Sequence, residues 1–153
     1  REVDIIVIIK NIAKIFASND KSITINIQDK DESYKLLADK TQLEEAFSYF
    51  IKYFVETSNN KSNIDIYFDK KMMGYNEYLT ITLKNNTLDS GILNRDANDF
   101  TPEFGLYKND KSLRLLIGEK IISEHNGKFY IKIDNNMRTL FVELPTEISD
   151  INK

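Results

Sequence analysis

Three stretches of this chain space their apolar residues as helices do, and each is followed by stretches that alternate apolar with polar. That order leaves few ways to bury every stripe. The first helical stripe is Ile5, Ile8, Ile9, Ile12, Ile15 and Phe16. Ser22–Gln28 then alternates Ile23, Ile25 and Ile27 with polar residues, and Tyr34–Leu37 reads as a short second strand. Asp39–Ser58 is the clearest helix, with Leu43, Ala46, Phe47, Phe50, Ile51, Phe54 and Val55 on its apolar side and Asp39 or Thr41 as its cap. Ile64, Ile66 and Phe68 alternate, as do Leu79, Ile81 and Leu83, with Lys70–Asn76 and its Gly74 as the hairpin connection. Asn85–Lys111 has no period. A third helix is expected over Ser112–Glu124, with Leu113, Leu116, Ile117 and Ile121 inward, Ser112 as N-cap and Gly127 as its stop. Phe129–Ile133 and Leu140–Leu144 form a final hairpin around Asn135-Asn136, closed by Pro145.

Helices alternating with paired strands predict an α+β fold. The expected form is a two-layer α/β sandwich, a mixed, mainly antiparallel sheet with helices on one face. Residues 1–145 form one domain and 146–153 a tail. A chain of 153 residues is long enough to bury a substantial core.

Composition removes several kinds of chemistry. Without cysteine there is no disulfide scaffold, thiolate metal site or thiol nucleophile, and the single histidine, His125, excludes a multi-histidine metal site. A net charge of −3 argues against nucleic acid as a partner. The longest apolar run, Ile5–Ile9, is far short of the ~20 residues that span a bilayer, so no direct membrane contact is expected. The chain begins at Arg1 and reads as a piece of a longer protein. Its five glycines are scattered, so a glycine-rich phosphate loop of the usual kind is absent.

Two segments carry a family resemblance. DKTQLEEAFSYFIKYFVETS (Asp39–Ser58) is similar, without gaps, to a helix that opens with Asp, then Leu, and continues Asn-Leu-x-x-Asn-Ala. SLRLLIGEKIISEHNG (Ser112–Gly127) is similar to a Gly-Leu-Gly-Leu helix that ends His-Gly-Gly. The closing run Thr139–Pro145 resembles the same family's last hairpin, and Phe100 and Phe104 resemble its paired lid phenylalanines. That family is the ATP-binding catalytic domain of sensor histidine kinases, within the superfamily that includes the gyrase and MutL ATPase domains.

The resemblance implies a nucleotide site, and this chain departs from it at each motif. Tyr49 and Tyr53 stand where the family has two asparagines, one of them a magnesium ligand, and a phenol is a poor ligand for a hard cation. Asn85 stands where an aspartate accepts a hydrogen bond from the adenine amino group. An alignment slipped by four residues uses Asp89-Ser90-Gly91 instead. Asp110, Ser112 and Arg114 occupy the glycine positions that would let backbone N–H groups approach phosphate. The positions equivalent to the ATP site are therefore Tyr49, Tyr53, Asn85, Asp89, Ser112 and Arg114, with no catalytic residue and no metal ligand assigned. Tyr49 and Tyr53 read either as a pocket plug or stacking platform or, preferably, as ordinary core and boundary packing. Arg114 reads as a surface arginine unless it pairs with phosphate, and His125 as a structural residue.

The implied function is a catalytic-domain-like module of a sensor histidine kinase or related two-component protein, with a regulatory or docking role. Its implied partners are the parent's dimerisation and phosphoacceptor helices and a response-regulator receiver domain, and its implied location is the cytoplasm. Two alternatives stay open: an active but divergent ATP-dependent histidine kinase domain, which alone would need ATP and magnesium, and a phosphotransfer-type docking module.

Overall fold

A computed structural model of the chain describes residues 1–29, 33–56, 62–85, 100–101, 106–107, 110–134 and 137–147. The elements run β1 (Glu2–Asp4), α1 (Ile5–Asn19), β2 (Ile23–Gln28), β3 (Lys35–Leu37), α2 (Lys40–Glu56), β4 (Ser62–Met73), β5 (Asn76–Asn85), β6 (Phe100–Thr101), β7 (Leu106–Tyr107), α3 (Asp110–Glu124), β8 (Lys128–Asp134) and β9 (Met137–Pro145). The main sheet has five strands in the order β2-β4-β5-β9-β8. Only the β2–β4 pair is parallel. The expected mixed, mainly antiparallel sheet with helices on one face is present.

The pairing differs from expectation at the amino-terminal end. β3 does not join β2. It pairs antiparallel with β1, a short strand ahead of α1 that the helical stripe conceals. Asp4 ends β1 and caps α1, its Oδ1 accepting from Ile6 N at 3.1 Å. Asp39, not Thr41, caps α2, its Oδ1 accepting from Gln42 N at 3.1 Å. The β4–β5 hairpin is tighter than Lys70–Asn76, because β4 continues to Met73 and only Gly74 and Tyr75 turn, Gly74 at φ +66°. Thr146, the first residue of the expected tail, accepts from Leu37 N at 3.0 Å and donates its N–H to Glu77 O at 3.0 Å, tying β3 to β5.

The core lies between the helices and the inward side chains of the sheet. Leu43, Phe47, Phe50, Ile51 and Phe54 of α2 meet Ile64 and Ile66 of β4, Ile81 and Leu83 of β5, and Leu140, Val142 and Leu144 of β9. Two stripes are shifted from expectation. Ile15 is 61% exposed, because at about 100° per residue it sits well round α1 from Ile5, Ile9 and Ile12, whereas Ile6 and Ala13 turn inward. On α3 the buried apolar residues are Leu115, Ile121 and Ile122, while Leu113 is 45% exposed. The centre of that buried face is Gly118, which carries no apolar signal. A Cβ on Gly118 would lie 2.4 Å from Phe50 Cε1, so the glycine lets α3 close on α2.

The α3 carboxyl end also differs from expectation. Asn126, at φ +62°, takes the left-handed conformation that ends the helix. Asn126 N donates to Ser123 O at 2.9 Å and Gly127 N to Ile122 O at 2.9 Å, the two reverse bonds of a Schellman stop. Gly127 is required for a different reason. A Cβ there would come within 2.5 Å of Glu143 O and 2.8 Å of Leu144 Cδ2.

Candidate functional site

Four of the sequence-predicted positions, Tyr49, Tyr53, Asn85 and Arg114, gather about the carboxyl-terminal half of α2. Tyr49 and Tyr53 are one turn apart on that helix, and their environments diverge. Tyr53 is 2% exposed and belongs to the core. Tyr49 is half-buried, and its hydroxyl donates to Glu45 Oε2 at 3.1 Å. That bond to a carboxylate, with slight burial and the Glu45 charge, raises the Tyr49 phenol above its ordinary value, while the Arg114 cation works the other way. Tyr49 is thus held as a neutral donor at the boundary, while the Tyr53 ring packs in the core.

Asn85 ends β5 and is fully buried. It shares the inward parity of Leu79, Ile81 and Leu83. Its register partner on β9 is Arg138, also fully buried. The Arg138 guanidinium carbon lies 4.7 Å from the Tyr53 ring centroid and 4.4 Å from that of Phe54. Nη2 donates to Phe54 O at 3.5 Å. Phe54 O is among the last carbonyls of α2, which lack helical partners and form the negative end of the helix dipole. A cation there, between two aromatic faces, is stabilised by both. Sequence reading missed Arg138. The available signal was parity: Arg138 alternates in phase with Leu140, Val142 and Leu144, so it had to point inward.

Arg114 reaches from α3 to α2, where its Nη1 forms a close ion pair with Glu56 Oε1. It is an interhelix contact rather than a free surface cation. Ser112 is not the N-cap of α3, because the helix begins two residues earlier, at Asp110. Asp89 and Phe104 lie outside the described residues.

His125 is structural, as expected. Its Nε2 accepts from Asp39 N at 3.1 Å and its Nδ1 lies 2.9 Å from Ile121 O, so the neutral Nδ1–H form joins the α3 carboxyl end to the α2 cap. It stands in the wall of a cleft of about 750 Å³ with Arg1, Lys40, Thr41 and Glu147. That cleft sits about 20 Å along α2 from Tyr53. Tyr49, Tyr53, Asn85 and Arg114 line neither this cleft nor a depression of about 510 Å³ on the outer sheet face. Among the described residues, no three His, Asp or Glu side chains gather as a metal site, and no helix is long and apolar enough to cross a membrane.

No protein-family model matches the chain, and no curated protein matches it in sequence. Solved structures do match in fold. The catalytic domain of histidine kinase ThkA superposes with a TM-score of 0.71 at 19% identity, over 96% of this chain and 97% of that one. A mycobacterial sensor histidine kinase, MprB, gives 0.73 at 11% identity, over 97% and 98%. The ATP binding domain of PrrB from Mycobacterium tuberculosis gives 0.68 at 15% identity, over 95% and 96%. The chain therefore has the fold of the catalytic domains of sensor histidine kinases, end to end.

Proposed function

We propose that this chain is a histidine-kinase catalytic-domain-like module of a two-component signalling protein whose nucleotide site is filled by its own side chains. It acts by docking or regulation rather than by phosphoryl transfer. The observation that carries the reading is Arg138, fully buried between Tyr53 and Phe54 beside Asn85. In the family resemblance Tyr53 and Asn85 mark where magnesium and adenine would be held.

The described side chains do not fit a magnesium–nucleotide complex. Magnesium needs hard oxygen ligands in octahedral array. Here Tyr53 is stacked under a cation, Tyr49 is tied to Glu45, and Glu56 holds Arg114. Glu56 also engages Arg114, which stands at one of the positions where backbone N–H groups would approach phosphate. A fixed guanidinium beside Asn85 repels a metal cation.

The shared fold has one use that needs no ligand. A rigid domain biases a signalling equilibrium whenever it contacts one arrangement of its partner better than another. The partners in this reading are the parent's dimerisation and phosphoacceptor helices and a receiver domain, in the cytoplasm.

The test is a melting experiment with ATP and magnesium. A ligand at 100 times its dissociation constant stabilises by ~2.7 kcal/mol, which for a domain of this size raises Tm by roughly 5–10 °C. The expected shift at millimolar ATP is below about 1 °C. A magnesium-dependent rise of several degrees overturns the reading in favour of an active, divergent kinase domain.

A further inference from the structure

The helices cover one face of the main sheet, and the other face carries a patterned surface. Because β4, β5, β9 and β8 are in register, their outward residues line up in three rows. These are Asp65, Lys84, Thr139 and Lys132; then Tyr67, Thr82, Phe141 and Tyr130; then Asp69, Thr80, Glu143 and Lys128. The middle row is aromatic on a face turned to water. Tyr67 is 40% and Tyr130 52% exposed, and Tyr130 stacks on Phe141 at 4.9 Å. The outer rows begin with acids on β4 and end with lysines on β8.

We propose that this face seats a second copy of the chain, sheet on sheet, about a two-fold axis running along the β5–β9 seam. β4 and β8 lie equally far from that seam, one strand beyond it on either side. The operation therefore sets β4 of one copy over β8 of the other, and β5 over β9. It pairs Asp65 with Lys132, Asp69 with Lys128 and Tyr67 with Tyr130, each pair twice. Lys84 faces Thr139 and Glu143 faces Thr80, so no like charges meet. Both of these ionised residues are engaged within their own copy, Lys84 over the Tyr67 ring at 5.4 Å and Glu143 with Lys71 Nζ at 2.7 Å.

Other symmetric stacks lose this match. An axis across the strands along the middle row sets Asp65 against Asp69 and Lys128 against Lys132. An axis along β5 sets Asp69 against Glu143. Self-complementarity under one operator is what an isologous dimer requires, and facing sheets about 10 Å apart let lysine and aspartate side chains meet. Four strands make a small interface, so the dimer is weak, with a dissociation constant of about 10–100 µM, and loosens as salt rises.

Sedimentation of the full chain across concentration tests this at low salt. The wild type is expected to dimerise reversibly. The all-basic variant Asp65→Lys/Asp69→Lys and the all-acidic variant Lys128→Glu/Lys132→Glu are each expected to stay monomeric. An equimolar mixture of the two is expected to dimerise again, because every facing pair is then of opposite sign. Thr82→Arg, one exposed-face substitution at the centre of the middle row, is a second variant expected to be monomeric. A wild type that stays monomeric to about 1 mM overturns the proposal. So does a dimer that survives both charge reversals, or a mixture of folded variants that stays monomeric.

Discussion

Gly118→Ala sets two opposed terms against each other at the α2–α3 contact. Alanine in a helix interior is favoured over glycine by ~0.8–1 kcal/mol. The added Cβ, however, would stand 2.4 Å from Phe50 Cε1 and 2.8 Å from Cζ. Carbon atoms meet comfortably near ~3.5–4 Å, so the ring or the helix must give by about 1 Å. The ring has little room to move. Phe47 meets it edge-on at 5.4 Å between centroids, and Phe129 stacks on it at 5.1 Å. Overpacking of a filled core costs ~1–3 kcal/mol, so the net effect is a loss of about 1 kcal/mol and a Tm lower by roughly 2–4 °C. Urea denaturation of Gly118→Ala, Phe50→Leu and the double variant measures the coupling. Leucine has no atom where the phenylalanine ring meets the new methyl, so the double variant is expected to be more stable than additivity predicts by about 1 kcal/mol or more. A Gly118→Ala protein stabilised by its full helix-propensity gain, or strict additivity in the cycle, refutes the close-approach argument.

His125→Ala removes both the acceptor for Asp39 N and the donor to Ile121 O; a loss of about 1–2 kcal/mol is expected, with faster hydrogen exchange at the Asp39 amide. Asn126→Ala forces alanine into a left-handed backbone and is expected to cost about 1 kcal/mol in thermal denaturation, whereas Asn126→Gly is tolerated. Partial burial raises the Glu119 carboxyl above its ordinary value. The folded state therefore binds that proton more tightly than the unfolded chain, so this group favours folding at low pH and loses that contribution as pH rises through the raised value. Glu119→Gln is expected to raise Tm near neutral pH and to match the wild type in acid below the carboxylate range; an equal Tm difference at both pH values contradicts the assignment.

Periodicity carried most of the fold. The helices, the two long antiparallel hairpins and the one-faced sheet follow from apolar spacing at 3.6 and 2 residues. Strand partners do not follow from spacing: nothing in the run Tyr34–Leu37 shows that it pairs with β1 rather than with β2. Gly118 hid the buried face of α3, because a residue selected for smallness at a helix contact looks polar to a periodicity count. Asn126 hid behind Gly127, since glycine is the commoner left-handed stop and here serves close packing instead. At the candidate site the α2 and β5 positions were legible by motif. Arg138 was not, because a charged residue at the start of a strand is ordinarily read as solvated. Its inward phase with Leu140 outweighs its charge, since the orphan carbonyl end of α2 and two aromatic faces receive it.

In the proposed reading Arg138 and Tyr53 fill the space a nucleotide would need beside Asn85. Amide and side-chain NMR shifts followed while ATP and magnesium are titrated into the labelled chain test it most directly. No saturable change is expected at Tyr53, Asn85 or Arg138 up to millimolar nucleotide. Saturable, magnesium-dependent shifts clustered on those three residues would contradict it.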